Sequence, residues 1–374
     1  MTDQVPVVTP AAVFDAKYAP ALVGGSAVAE RFTVGGADVV IGPTGMVITT
    51  DASDDPTRSG VWSAKEVRLL GPAPAPVTER LIGSPSGAET SLPIHIAVRV
   101  EAEVLYLGTA RVSQGGTSNG VLTDCQLRLE SCLSRSLLDR VRPTTPPVNL
   151  PGSGWLRHVN SDRAAALEEF VTDWYPAVGD APGSPSIGPV SPLPDGLRQL
   201  YRLAEQRPGV LGVQNRIRPE SRLHVDQQGE MIVFGEENQG GFCWSLLWAF
   251  DDPGSDPTVW FCVDGGAPIA EQEPLSGFLI QFSLFEAAMS ADYLALPRRL
   301  LASWQVDQLT QTLRAVPLRP FWPWAPTRFF VGPGLVMYVS REGNEEFGVW
   351  AGATHRSALD PLAEFPIEWT RFDG

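Results

Sequence analysis

The chain has 374 residues, 43% apolar and 19% charged, with 36 Gly and 34 Pro; this excludes a disordered chain and predicts short elements joined by ordered turns in more than one domain. Its net charge of -15 sits mostly in the second half, because residues 1–150 hold 15 of the 43 acidic and 12 of the 28 basic side chains, leaving 28 acidic and 16 basic for the remainder. Such a field disfavours nucleic acid and anionic membranes as partners and favours a basic protein.

In chain order, ERFTVGGADVVIGPTGMVITTD and IHIAVRVEAEVLYLGTARVS alternate as short strands between glycine-rich turns, DCQLRLE adds another, and SRSLLDRV reads as a short helix. These form a β-rich module, residues 1–145. The proline-dense run PTTPPVNLPGSG carries no periodicity, so residues 146–190 read as a linker with one short helix at 161–174, capped by Ser161 or Asp162 and turning Ala165, Leu167, Phe170 and Val171 to one side. Residues 191–374 then form an α+β domain. LPDGLRQLYRLAEQ predicts a helix from Asp195, with Leu197, Leu200, Tyr201 and Ala204 on one face. RLHVD and EMIVFGE predict a hairpin, WSLLWAF and TVWFCVD buried strands, PLSGFLIQFSLFEAAMSADYL a helix, and RFFVGPGLVMYVS with EEFGVWAGA a closing strand pair. The expected fold class is therefore α+β: a β-rich first module, then a mainly antiparallel sheet with flanking helices.

The four cysteines (Cys125, Cys132, Cys243, Cys262) form no CxxC pair and the four histidines are scattered, so no metal and no cofactor is expected, and the thiols are expected to be buried and free. The opening MTDQVPVVTP has no basic start followed by an apolar run, and no stretch reaches the roughly 18 apolar residues of a membrane span. A soluble, cytoplasmic protein is the expectation.

Three patterns resemble catalytic ones. GTSNG (Gly116–Gly120) matches the G-x-S-x-G nucleophile elbow with Ser118 as nucleophile, yet that chemistry needs a helix after the turn and VLTDCQLRLE alternates like a strand. His224 and Asp226 lie two apart in a strand and share a face, as an acid-base pair would. Glu236 and Glu237 are adjacent carboxylates in FGEENQGGFCWSLLW, and neighbours in a strand point to opposite faces, so a carboxylate pair would need Asp251, Asp252, Asp264 or Glu271 from elsewhere. ENQGG itself reads as a bulge or loop, with Gly240 and Gly241 giving backbone freedom and Asn238 and Gln239 satisfying backbone groups. Ten of the eleven Trp residues follow Pro151. Core packing accounts for Trp248, Trp260 and Trp350, whereas the proline-flanked WPW at Trp322–Trp324 suits a protein-binding patch.

The succession LPDGLRQLYRLAEQ, MIVFGEENQGGFCWSL, DDPGSDPTVWF and PLSGFLIQFSLFEAAM resembles the SUKH superfamily, which includes yeast cell-wall assembly regulators and bacterial toxin-immunity proteins. The likeness covers roughly residues 190–374. It implies a non-enzymatic α+β domain that neutralises a toxin, commonly a nuclease, by binding it. The contact candidates are then Glu236, Glu237, Asn238, Gln239, Asp251, Asp252, Trp322 and Trp324, facing a basic partner. A structural or regulatory scaffold, oligomeric or not, is the alternative; a hydrolase using Ser118 or the His224/Asp226 pair is a third reading.

Overall fold

A computed structural model describes residues 13, 15–25, 27–53, 58–63, 66–82, 92–101, 103–141, 148–178, 193–226, 230–247, 255–263, 266–323, 325–343 and 345–374. The chain is α+β and divides into two compact units, Met1–Pro147 with Thr370–Asp373, and Val148–Trp369. Among the described residues no helix is long and apolar enough to cross a membrane.

In the first unit, period-two alternation produces strands whose apolar side chains share one interior. Glu30–Val34, Ala37–Gly42 and Gly45–Ala52 form an antiparallel meander. Gly45–Ala52 pairs on one edge with Ala37–Gly42 and then, in parallel, with the short strand Val61–Trp62; on its other edge it pairs in parallel with Ile94–Val100. The ladder from Val61–Trp62 continues through Val67–Pro72, Val121–Leu129 and Glu103–Gln114 back to Ile94–Val100. The ring from Gly45–Ala52 round to Ile94–Val100 thus closes on itself as a barrel, and Glu30–Val34, paired with Ala37–Gly42, is the sheet's edge strand. Its interior holds Met46, Ile48, Trp62, Leu69, Ile96 and Leu127, with Val77 and Leu81 from the helix Ala75–Ile82 and Leu137 and Val141 from the helix Arg135–Val141. On the outer face, the helix Ala19–Leu22 covers a smaller cluster with Val40, Val47, Ala97 and Tyr106.

The GTSNG segment is a hairpin in this barrel. Thr117–Ser118 pairs with Val121–Leu122, and Asn119 and Gly120 both take positive φ, 51° and 75°, the pattern of a two-residue Asn-Gly turn. A strand follows where a nucleophile elbow needs a helix, so Ser118 sits exposed in a strand-turn-strand.

The second unit is built around the helix Leu275–Met289, every residue of which except Ser276 and Met289 is buried. Its sequence is apolar on all sides, and a helix of that kind requires neighbours on all sides. The antiparallel sheet Asn215–Ile217, Met231–Glu237, Phe242–Leu247, Thr258–Val263, Ile269–Pro274, in that spatial order, supplies Phe234, Trp244 and Phe261 to it. Thr327–Gly332, Leu335–Arg341, Glu346–Ala353 and Tyr293–Pro297 form a second antiparallel sheet that supplies Tyr338 and Trp350. The helices Arg163–Trp174 and Asp195–Gln206 complete the enclosure.

Four expectations change. The segment 146–190 is no linker where it is described: Trp155 is 1% exposed, its ring lies 5.2 Å from that of Phe170, and the helix Arg163–Trp174 packs on the central helix. A proline-dense stretch without periodicity conceals such anchoring, because single bulky side chains carry it. Asp162 is the cap, accepting from Ala165 N at 3.0 Å, and Ala166 rather than Ala165 is buried. The helix predicted through Leu294 stops at Met289, and Tyr293–Pro297 turns back as a strand against Glu346–Ala353. The closing strand pair is a three-strand meander, because Gly332 and Gly334 divide RFFVGPGLVMYVS into a hairpin.

Candidate functional site

FGEENQGGFCWSLLW folds as a hairpin between Met231–Glu237 and Phe242–Leu247. Gly240 N donates to Glu237 O at 3.0 Å and Gly240 has φ 77°, a value that favours glycine. The Glu237 carboxylate closes the turn, accepting from Gln239 N at 2.8 Å and Gly241 N at 3.2 Å through one oxygen. The backbone is thus held by Glu237, and the side chains of Asn238 and Gln239, expected in that role, belong to the exposed tip. A register shift between Val233 and Gly235 lets the Trp244 ring lie where a Cβ on Gly235 would meet it at 3.1 Å.

Directly opposed residues of antiparallel strands point to the same face. Ile232, Phe234, Trp244, Leu246, Val259 and Phe261 are buried towards the central helix, so the alternate positions form the outer face. One row there runs Arg216, Glu236, Cys243, Cys262; the next runs His224, Val233, Ser245, Trp260, Ala270. Leu247 is 55% exposed beside them. Trp260, expected in the core, is half-buried on this outer face. Glu236 pairs with the Arg218 guanidinium, whose other Nη contacts the His224 ring. Asp226 closes the adjacent hairpin, its Oδ1 accepting from Glu230 N at 2.8 Å and Met231 N at 3.1 Å. His224 and Asp226 therefore serve separate partners.

Three buried carboxylates lie on the core side, and each holds backbone. Glu271 accepts the Trp244 indole N–H at 3.0 Å and Trp322 N at 3.1 Å. Burial pushes its carboxyl up to about 7, against the two donors that favour the ionised form. Glu271 is thereby on the opposite side of the sheet from Glu236 and supplies no second acid to it. Glu273 accepts from Arg163 Nη2 at 2.7 Å and from Arg319 N at 2.9 Å and Nε at 3.2 Å. Glu286, on the central helix, receives the N–H groups of Val213, Gln214 and Asn215 at 2.7, 2.9 and 2.8 Å, and burial raises its carboxyl despite them.

Trp322, expected in a docking patch, is half-buried and packs against the core. At φ 70° it turns back onto the core, its ring 5.1 Å from that of Phe242 and 5.5 Å from that of Phe285. Asp251, Asp252, Trp324, and also Trp248 and Asp264, lie outside the described residues. Among the described residues no group of three or more His, Cys, Asp or Glu could hold a metal ion.

Sequence reading missed the thiol pair Cys243–Cys262, which only strand register reveals. It also passed over Trp304, which is 60% exposed. There the signal was available: in the helix Ser303–Thr310, Val306 and Leu309 set the buried phase and Trp304 falls outside it. Comparison of the chain with protein-family models, curated proteins and solved structures finds no match.

Proposed function

We propose that this protein acts by binding rather than catalysis, as an immunity protein of the SUKH type that neutralises a bacterial toxin with the acidic second unit. The observation that carries the reading is the commitment of the marked side chains: Glu237 and Asp226 close turns and Glu236 sits in an ion pair with Arg218. A general acid or base needs reach to a substrate proton, and these groups are spent on their own backbone and neighbours. What they build is a presented surface, a polar hairpin tip of Asn238–Gly241 beside an outer sheet face carrying the exposed Leu247 and the half-buried Trp260. An apolar centre with a polar rim is the usual anatomy of a protein contact. The excess of 28 acidic over 16 basic side chains beyond residue 150 suits a basic partner such as a nuclease, whose approach it accelerates.

The scaffold reading draws on a different observation, the closed barrel of the first unit, a separate compact body that toxin binding does not require. One experiment separates them. The tagged full chain is incubated with host extract at low and high salt, and bound proteins are identified by mass spectrometry, in parallel with Asn238→Arg and Gln239→Arg at the exposed tip. The immunity reading expects a basic, toxic partner that is lost at high salt and weakened at least tenfold by the tip arginines. A partner retained under both perturbations, or self-association alone, overturns it.

A further inference from the structure

Cys243 and Cys262 stand 19 positions apart in sequence, and neither lies in a motif. The register of Phe242–Leu247 against Thr258–Val263 makes them direct partners, between the pairs Phe242↔Val263 and Trp244↔Phe261. Opposed Cα atoms in antiparallel strands lie about 4.5–5.5 Å apart, inside the range of about 4.4–6.8 Å that a disulfide spans. Both residues are half-buried on the outer face, so a small reagent reaches them. The two sulfurs gather around one hydroxyl, at 3.9 Å for Cys243 Sγ and 3.8 Å for Cys262 Sγ from Ser245 Oγ. By contrast, Cys125 is fully buried in the barrel of the first unit, where burial holds its thiol up at about 12.

We propose that Cys243 and Cys262 form a dithiol site that closes to an inter-strand disulfide on reaction with a low-molecular-weight disulfide such as oxidised glutathione. The inference stands apart from toxin binding and does not depend on it. The Cys262 thiol is held far above its ordinary value, first by its hydrogen bond with Cys243 and then by burial. Either sulfur can open the exchange; written for Cys243, its Sγ loses a proton to solvent, forms a bond to one sulfur of the small disulfide and expels the other as thiolate. That leaving thiolate takes the Cys262 proton. Cys262 Sγ then attacks Cys243 Sγ, breaking the mixed disulfide and releasing the second small thiol. The protein loses two electrons and two protons, and the small disulfide is reduced to two thiols.

The test uses the folded full chain. It is equilibrated with oxidised glutathione, free thiols are trapped by alkylation, and the protein is digested with a protease that cuts after acidic residues. Asp251, Asp252 and Asp256 lie between the two cysteines, so the peptides stay joined only through a disulfide. Expected are loss of two of the four thiols, a mass lower by two hydrogens, a Cys243–Cys262 crosslink and full reversal by dithiothreitol. Cys243→Ser and Cys262→Ser each abolish the crosslink while the near-isosteric change keeps the fold, checked by unchanged fluorescence. A stable glutathione adduct on Cys243, four surviving thiols, or crosslinks only between chains would overturn the proposal.

Discussion

Glu271 ties the stability of the second unit to pH near neutrality. Its carboxyl is raised from an ordinary 4.5 to about 7, so the native state keeps a proton that the unfolded chain has released. Stability from this group is full below pH 4.5 and is lost as pH rises through 7, after which the loss is constant. At about 1.4 kcal/mol per pH unit, the interval is worth roughly 3 kcal/mol. For a unit of this size, that is roughly 6–12 °C in Tm. Glu271→Gln stays neutral at every pH and keeps one acceptor for Trp244 or Trp322. Urea titrations at pH 4, 5, 6, 7 and 8, read by tryptophan fluorescence, report mainly on the second unit because ten of the eleven Trp residues lie there. The wild type is expected to lose roughly 3 kcal/mol more than the variant between pH 4 and pH 8. Glu286 and the surface carboxylates are present in both proteins and cancel in the difference. Parallel stability curves for the two proteins would refute the account of Glu271 as a buried, proton-binding carboxylate.

Other consequences concern packing and capping. A Cβ on Gly352 would lie 2.3 Å from Ala288 O, so Gly352→Ala pushes the central helix off its strand, with an expected loss of about 1–3 kcal/mol in urea melts. Glu286→Ala removes the acceptor for three N–H groups and is expected to cost about 2–4 kcal/mol, with faster hydrogen exchange at Asn215. Asp162→Ala deletes the cap on Ala165 N and is expected to cost about 1 kcal/mol. Ser118→Ala, in an exposed hairpin, is expected to leave stability within about 0.5 kcal/mol.

The sequence by itself determined the α+β class, because period-two alternation and helical spacing are local properties written along the chain. It determined most strands of the barrel, the helix Asp195–Gln206 and the helical stretch that became Leu275–Met289. The turn at Asn119-Gly120 is local as well, since few dipeptides accept two positive φ values in succession. Tertiary structure decided what the polar residues do. Glu237 and Gln239 are neighbours whose hydrogen bond is short-range, yet Glu286 meets residues more than 70 positions away and Glu273 meets Arg163 across 110. No spacing rule connects such partners. Trp322 and Trp260, both half-buried, show the same limit: composition marks both as bulky aromatics, and only the fold chooses the face each one occupies. The barrel is likewise a tertiary outcome, because closing it needs the parallel pairing of Gly45–Ala52 with Ile94–Val100, strands some 50 residues apart. Cys243 and Cys262 mark the boundary most sharply. Each alone is an apolar residue in a strand, and register, set by burying Trp244 and Phe261, is what turns the two into a chemical pair.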